Sequence, residues 1–448
     1  MLEFIEVDGF KSLRKFSLLL KPGLNVLVGP NGSGKTNIIS FFEFLGLLQT
    51  NNVSKAISAA GGAGSIFSKI GEQTYQSKIA SRLIGNINIS KKKWIYYEYS
   101  FTVSLSKTFD TVIYESQQIK CKKRTVHTIP NSLVKSFDLD IIRKTDSQLN
   151  SNITINCLEH KIIDSEIGFL GRSGSHNISD IKKRLEAIIN ESIDNSESIL
   201  SILRYIIMAW YSINDDLQGG SVYNIEPSRC RVPEDAAKPP GIHKDGSGLY
   251  ATLFALTQKE KQPGIRRRYY PFIRDELNPI KNVRLEKITE YIMLANHSIQ
   301  KIDVMNNPFD NQLQVRVHIQ NKDNSSSILP LIAMSDGTVK WICLVTILLT
   351  SSNVLSIEEP ENYLHPLMQK EIVTIMRNVI GKKSVVLLST HSETFINSSL
   401  PEEIVIVHFK DGATHACRPK NLDLIKDEIN ETGFGLGYYY LSGALTNE

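Results

Sequence analysis

The sequence predicts an α/β fold built around a phosphate-binding loop, and three observations carry that prediction. Gly29-Pro30-Asn31-Gly32-Ser33-Gly34-Lys35-Thr36 has the form G-x-x-x-x-G-K-[ST], between an apolar strand pattern and a helical one. More than three hundred residues downstream, the apolar run Val354–Ile357 delivers two adjacent carboxylates, Glu358 and Glu359. A further apolar strand, Ser384–Leu388, ends in Ser389-Thr390-His391-Ser392.

The elements follow in order along the chain. Ile5 and Val7 alternate with polar residues, and Asn25–Val28 is a short apolar run, so both read as strands. Gly29, Gly32 and Gly34 allow a tight ring whose N–H groups, with those of Asn31 and Ser33, can cradle phosphate oxygens. Residues 36–45 then read as a helix whose N-terminal dipole faces the phosphates. In this pattern Lys35 contacts the β- and γ-phosphates and the Thr36 hydroxyl ligates Mg²⁺.

Residues 51–64 turn to Ser, Ala, Asn and Gly and read as a loop. Trp94–Leu105 and Thr111–Lys120 read as antiparallel strands joined at Lys107–Asp110. Residues 130–180 are polar, rich in Ser and Asn, and carry no readable period. Helical spacing returns at Ile181–Ile188 and Ile199–Trp210. The break near Asn190–Ser196 stops residues 178–212 from sustaining a long coiled-coil arm. Pro233, Pro239, Pro240 and Gly241 mark a loop before helices at Gly248–Thr257, with Asp245-Gly246-Ser247 as its cap, and at Tyr270–Leu277.

Strands at Ile299–Met305 and Gln312–Ile319 open the last third. Met334-Ser335-Asp336-Gly337-Thr338 then starts an apolar helix running to about Leu349. The turn Glu361-Asn362-Tyr363-Leu364-His365-Pro366 leads into a helix over 367–380, with His365 in a structural role. Three ranges follow: an N-terminal nucleotide-binding half, 1–130; a mainly helical insertion, 131–300; and a C-terminal half, 301–448.

Composition sets gentler limits. The 448 residues carry a net charge of +4, too small to imply a nucleic-acid partner by itself. No apolar run has bilayer-spanning length, so no membrane association is expected. Cys121, Cys157, Cys230, Cys343 and Cys417 are scattered without C-x-x-C spacing, the pattern of reduced thiols in a cytoplasmic protein. The runs Lys91-Lys92-Lys93, Lys120-Cys121-Lys122-Lys123-Arg124 and Arg266-Arg267-Arg268-Tyr269-Tyr270 fit solvated faces, with DNA phosphates as the alternative.

The order of phosphate-loop lysine, Ser-x-Gly helix start, acidic strand end and strand-end histidine resembles the RecF/SMC-like branch of ABC ATPases. Within it, the chain is similar to the OLD-related group and to the ATPase subunits of anti-phage systems of the Septu type. Asp8-Gly9-Phe10-Lys11-Ser12-Leu13, His243–Leu249, Met334–Thr338, Ile357–Pro366 and Ser389–Ser392 carry the likeness together with the loop. It implies a P-loop domain of the ABC/SMC-head type, split by an insertion.

The resemblance also implies roles. Lys11 lies near the nucleotide phosphates, and Glu358 holds the Mg²⁺ shell where the family has Asp. Glu359 is the base that orients the attacking water, and His391 senses the γ-phosphate. Ser335 and Gly337 close over ATP bound by a second protomer, although Met334 and Thr338 depart from the usual signature. Gln73 and Gln76 are the candidates for the metal-shell Gln. ATP rather than GTP rests on this likeness. So do a head-to-tail homodimer, open to larger assemblies, and a separate effector, read as a nuclease in anti-phage defence. A RecF-like DNA repair ATPase binding duplex DNA and a nucleotide-gated scaffold with little turnover are the alternatives.

Overall fold

The computed structural model describes the chain except residues 73, 91–92, 107–110, 125–136, 158–182, 184–185, 188, 191–193, 207–211, 215, 218–220, 262–284, 322, 324, 351–353, 380–383 and 446–448. The helix expected at Tyr270–Leu277, most of that at Ile181–Ile188, the basic run at 266–270, Lys91, Lys92 and Gln73 lie outside the described residues. Among the described residues no helix is long and apolar enough to cross a membrane.

The strands are β1 (Leu2–Asp8), β2 (Phe16–Leu19), β3 (Gly23–Val28), β4 (Lys78–Ser90), β5 (Lys93–Ser106), β6 (Thr111–Arg124), β7 (Leu139–Thr145) and β8 (Ser151–Cys157). They continue with β9 (Ser221–Tyr223), β10 (Ile299–Asn306), β11 (Leu313–Gln320), β12 (Ser326–Pro330), β13 (Val354–Glu358), β14 (Val385–Thr390), β15 (Ile404–Lys410) and β16 (Ala413–Cys417). The helices that matter below are α1 (Lys35–Thr50), α2 (Leu249–Lys261), α3 (Leu285–Ala295), α4 (Asp336–Thr350) and α5 (Pro366–Val379).

The chain divides into two compact units. The first comprises Met1–Pro22, Gly29–Ser221 and Ile406–Cys417. Its main layer is a seven-stranded sheet in the order β2-β1-β4-β5-β6-β7-β8. Period-two alternation buries Ile95, Tyr97, Tyr99, Phe101 and Val103 on one face of β5. Register places Tyr99 opposite Leu83 on β4 and Ile119 on β6, so one apolar face is continuous. Phe10 packs at 5.4 Å ring separation against both Phe41 and Phe44 of α1, burying a helix face with period 3–4. Burial of each such ring contributes roughly 2–3 kcal/mol.

The second unit comprises Gly23–Val28, Val222–Val405 and Arg418–Glu448. Here β3, β14 and β13 are parallel neighbours, with β9 beyond β13. The strands β3, β13 and β14 are almost entirely buried, as parallel strands with both faces covered are. Helix α4 is buried from Thr338 to Thr350, with Trp341 fully enclosed. A separate antiparallel sheet has the order β10-β11-β12.

Three local expectations change. Residues 51–64, read as a loop, form short helices at Val53–Ala59, capped by the Asn52 side chain, and Ala63–Ile66. Strands β7 and β8 fall inside the range read as a mainly helical insertion, and they extend the seven-stranded sheet. Their alternation is short and polar on one side, which conceals it in sequence. Asp245 is not the cap of α2: its Oδ1 accepts from the backbone N–H and hydroxyl of Ser247 in a tight turn. The first-turn N–H groups of Gly248 and Ala251 donate instead to the two carboxylate oxygens of buried Glu234, at 2.6 and 3.0 Å.

Candidate active site

Each unit carries part of the predicted constellation. In the first, α1 starts at Lys35 with Gly34 as its N-cap at φ 103°, and no side chain caps the helix. Its first-turn N–H groups are therefore presented at the loop, an arrangement suited to anions. Lys35, 6% exposed, donates to the carbonyls of Gly29 and Pro30 at 2.8 and 3.1 Å, folding across the ring. Thr36, Asn31 and Gly32 are exposed, while Ser33 is buried with its hydroxyl unpartnered. That orphan hydroxyl, the uncapped helix and the glycine ring fit a phosphate group.

The ring is held from below by a residue far along the chain. Buried Thr414 on β16 donates through Oγ1 to the Ser33 carbonyl at 3.2 Å and pairs with the Ser12 hydroxyl at 2.6 Å. Asn37 of α1 donates to the same Ser12 hydroxyl at 2.7 Å. A Cβ on Gly34 would lie 1.9 Å from Thr414 Oγ1, and one on Gly29 would lie 2.2 Å from the Val407 carbonyl. The Phe-Lys-Ser segment thus supports the loop through Ser12. Lys11 has φ 47° and donates to Ser40 Oγ on α1 at 3.0 Å. Gln76 donates to Asp8 at 3.4 Å.

In the second unit the register is decisive. Glu358 of β13 pairs with Ser389 of β14, and Thr390 pairs with Val28 of β3. The carboxyl ends of these three parallel strands are level, and Glu359 and His391 directly follow β13 and β14. Ligands of open α/β sheets bind outside that edge. Glu359 has φ 43°, its N–H donates to the Ser389 carbonyl at 3.0 Å, and its Oε2 accepts from Asn362 at 2.8 Å. The side chain of His391 is exposed, and its backbone N–H donates to Glu361 Oε1 at 2.9 Å. His365 accepts from the Leu367 N–H at 3.3 Å, the structural role expected of it.

The signature segment belongs to the same unit. Ser335 is exposed, and its Oγ accepts from the Thr338 N–H at 3.3 Å, so it begins α4 as an N-cap. A Cβ on Gly337 would lie 2.8 Å from the Tyr363 carbonyl, which explains the small residue. Arg231 donates to the Met334 carbonyl at 2.7 Å and forms an ion pair with Asp336 at 2.5 Å, anchoring both sides of Ser335. Nothing local in sequence marks Arg231.

Lys340, one turn into α4, is also missed by motif reading. It is 1% exposed, donates to the Glu359 carbonyl at 3.2 Å and lies 5.6 Å from the Tyr363 ring centroid. Burial lowers its pKa to about 8, partly offset by the nearby Glu361 carboxylate. A lysine with a depressed folded pKa binds fewer protons than the unfolded chain between about 8 and 10.5, so raising pH through that window adds stability. Relative to Lys340→Met, the wild type should gain about 2 kcal/mol between pH 7 and pH 9.5, read by urea unfolding of both proteins. Equal pH dependence would remove the charge burial inferred for this group.

Comparison with known proteins now decides the family. The profile described as AAA ATPase domain matches residues 1–396. The chain belongs to the AAA ATPase domain family. Among curated relatives of this AAA ATPase domain protein, the RecF DNA replication and repair protein of Acidothermus cellulolyticus is 42% identical over 50 residues. That match covers 11% of this chain and 14% of the relative. The Smc chromosome partition protein of Methanocaldococcus jannaschii is 50% identical over 44 residues, 10% of this chain and 4% of the relative. The matched stretches therefore span only a small part of these relatives. A solved SMC head bound to the C-winged helix domain of ScpA aligns at TM-score 0.46 and 13% identity, covering 93% of this chain and 97% of that one. The SMC head domain from Thermotoga maritima aligns at TM-score 0.37 and 10% identity, covering 93% and 98%.

Among the basic runs, Lys120–Arg124 is described. Lys120 lies 3.7 Å from Glu98 and 5.3 Å from the Phe137 ring centroid, and Arg124 lies 5.4 Å from the Tyr96 ring centroid. These contacts use the cations within the sheet face of the first unit.

Proposed function

We propose that this AAA ATPase domain protein binds ATP with Mg²⁺ and hydrolyses it as a switch. The observation that carries this reading is the glycine ring around Lys35, together with the level ends of β3, β14 and β13. Asn31, Gly32, Ser33, Gly34 and Lys35 take the phosphates, with Lys11 contributing nearby charge. Thr36 and Glu358 are the residues that would hold Mg²⁺, which neutralises the charge developing on the transferred phosphoryl group. Glu359 orients the attacking water and accepts its proton, and His391 hydrogen-bonds the γ-phosphate. Ser335 and Gly337 present the start of α4 to nucleotide held by a second copy, giving a head-to-tail homodimer.

The biological use follows the resemblance to anti-phage ATPase subunits: closure on ATP regulates a separate effector of nuclease type in the cytoplasm. A second reading, a DNA repair ATPase acting on duplex DNA, is favoured by the local identity to RecF proteins. ATPase assays with and without duplex DNA separate the two, since strong stimulation by DNA supports repair. A nuclease co-purifying in stoichiometric amount with the native protein supports defence. Lys35→Ala should weaken ATP binding by about 10- to 100-fold, the loss of one or two charge-assisted hydrogen bonds. Unchanged binding in that variant, measured by equilibrium titration with a fluorescent ATP analogue, would sink the nucleotide reading.

A further inference from the structure

The turn after β13 contains a third carboxylate that the family roles above leave without a task. Glu361 Oε1 accepts from the Thr390 hydroxyl at 2.6 Å and from the His391 N–H at 2.9 Å, both at the end of β14. Its other oxygen, Oε2, is buried and accepts no hydrogen bond among the described residues, so both side-chain hydrogen bonds of the carboxylate come from the β14 side, with the Lys340 ammonium of α4 as a nearby charge. The backbone of Glu361 is itself fixed: its carbonyl accepts from the Leu364 N–H at 2.9 Å and from Gln369 Nε2 at 3.4 Å. Gln369 makes a parallel link, accepting from the Ser392 hydroxyl at 2.7 Å.

We propose that Glu361 is a positioning residue that ties the strand end carrying His391 to the turn carrying Glu359. The inference rests on the ATP-hydrolysis reading above. Beyond Thr390 the β14 ladder has ended, so the His391 N–H needs an acceptor from outside the sheet. An ionised carboxylate supplies a stronger and shorter contact than a neutral carbonyl. Glu359 and Glu361 lie on one turn, whose geometry is set by the left-handed backbone of Glu359 and Tyr363 (φ 43° and 68°). Moving that turn therefore moves base and sensor together, and displacements near 1 Å at such positions change rates by about 10²-fold.

The test combines two readouts on Glu361→Ala, Glu361→Gln, Thr390→Val, His391→Ala and the Glu361→Ala/His391→Ala pair. Hydrogen exchange of the segment 385–395 should speed up by about tenfold at the His391 amide in Glu361→Ala, the loss of roughly one charge-assisted hydrogen bond. Turnover should fall by about 10- to 100-fold with ATP affinity within about threefold. Glu361→Gln should recover most of both losses, because an amide oxygen still accepts from both donors. The double variant should be no slower than His391→Ala, since the two residues act as one.

Additive losses in the pair, or a Gln variant as impaired as the Ala variant, would overturn the proposal. If Glu361→Ala does not fold, Thr390→Val keeps the question open to measurement. It removes the hydroxyl that donates to Glu361 and accepts from the Ser392 N–H at 3.0 Å, and it should raise exchange at the His391 amide; unchanged exchange there counts against the link. Absence of wild-type turnover would instead defeat the hydrolysis reading, and the exchange readout still decides the positioning role.

Discussion

Replacing Glu359 by Gln should lower the rate of ATP hydrolysis by about 10²- to 10⁴-fold while ATP remains bound, the effect of removing a positioned general base. In barrier terms this is about 3–5 kcal/mol. Gln preserves the side-chain length and an acceptor for the Asn362 amide that now meets Glu359 Oε2 at 2.8 Å. The left-handed turn therefore keeps its shape and only the proton acceptor is lost. Under the switch reading the variant accumulates as an ATP-bound dimer, visible as a doubled mass in size-exclusion chromatography with light scattering. A wild-type protein that hydrolyses no faster than Glu359→Gln would instead be a nucleotide-gated scaffold.

Gly34→Ala should have the second large effect, on stability and on nucleotide binding together. At φ 103° an L-residue is strained, and its Cβ would overlap Thr414 Oγ1 at 1.9 Å. Thr414 cannot yield cheaply, because it is buried and holds both Ser12 and the Ser33 carbonyl. Strain and displacement together should cost about 2–4 kcal/mol, with ATP affinity lost in the same variant. Gly32→Ala is the internal control. Its φ of 79° is also strained, but nothing lies within 4 Å of a Cβ there, so only about 1–2 kcal/mol is expected. Urea unfolding of both variants checks the ranking, and equal losses would show that Thr414 does not support the loop.

The chemistry-bearing motifs were legible because each is local. A phosphate loop needs glycines at fixed offsets and a lysine at a helix start, and a strand of apolar residues ending in carboxylates declares itself over eight positions. The strands β5, β6, β10, β11, β13 and β14 were legible for the same reason, since alternation or unbroken apolarity is a property of neighbours in sequence. The strands β7 and β8 were not, because their order comes from pairing, β7 on β6 and β8 on β7, and their short segments within a polar stretch carry too little alternation to show it.

The groups that hold the motifs in place were invisible for a different reason. Thr414 supports a loop centred on Ser33, Arg231 brackets Ser335, Lys340 reaches the Glu359 carbonyl, and Glu234 caps α2. Each of these contacts joins residues separated by a long stretch of chain or by a helix turn and a strand. Threonine, arginine, lysine and glutamate are also common surface residues, so no composition or period distinguishes these four. The sequence by itself determined the residue types offered at the phosphate loop, the β13 end and the β14 end, which are the ones proposed to meet phosphate, metal and water, since such demands fall on short segments. Tertiary structure decided which distant side chains would fix their positions, because only the folded backbone brings donor and acceptor groups far apart in sequence within hydrogen-bonding distance of each other.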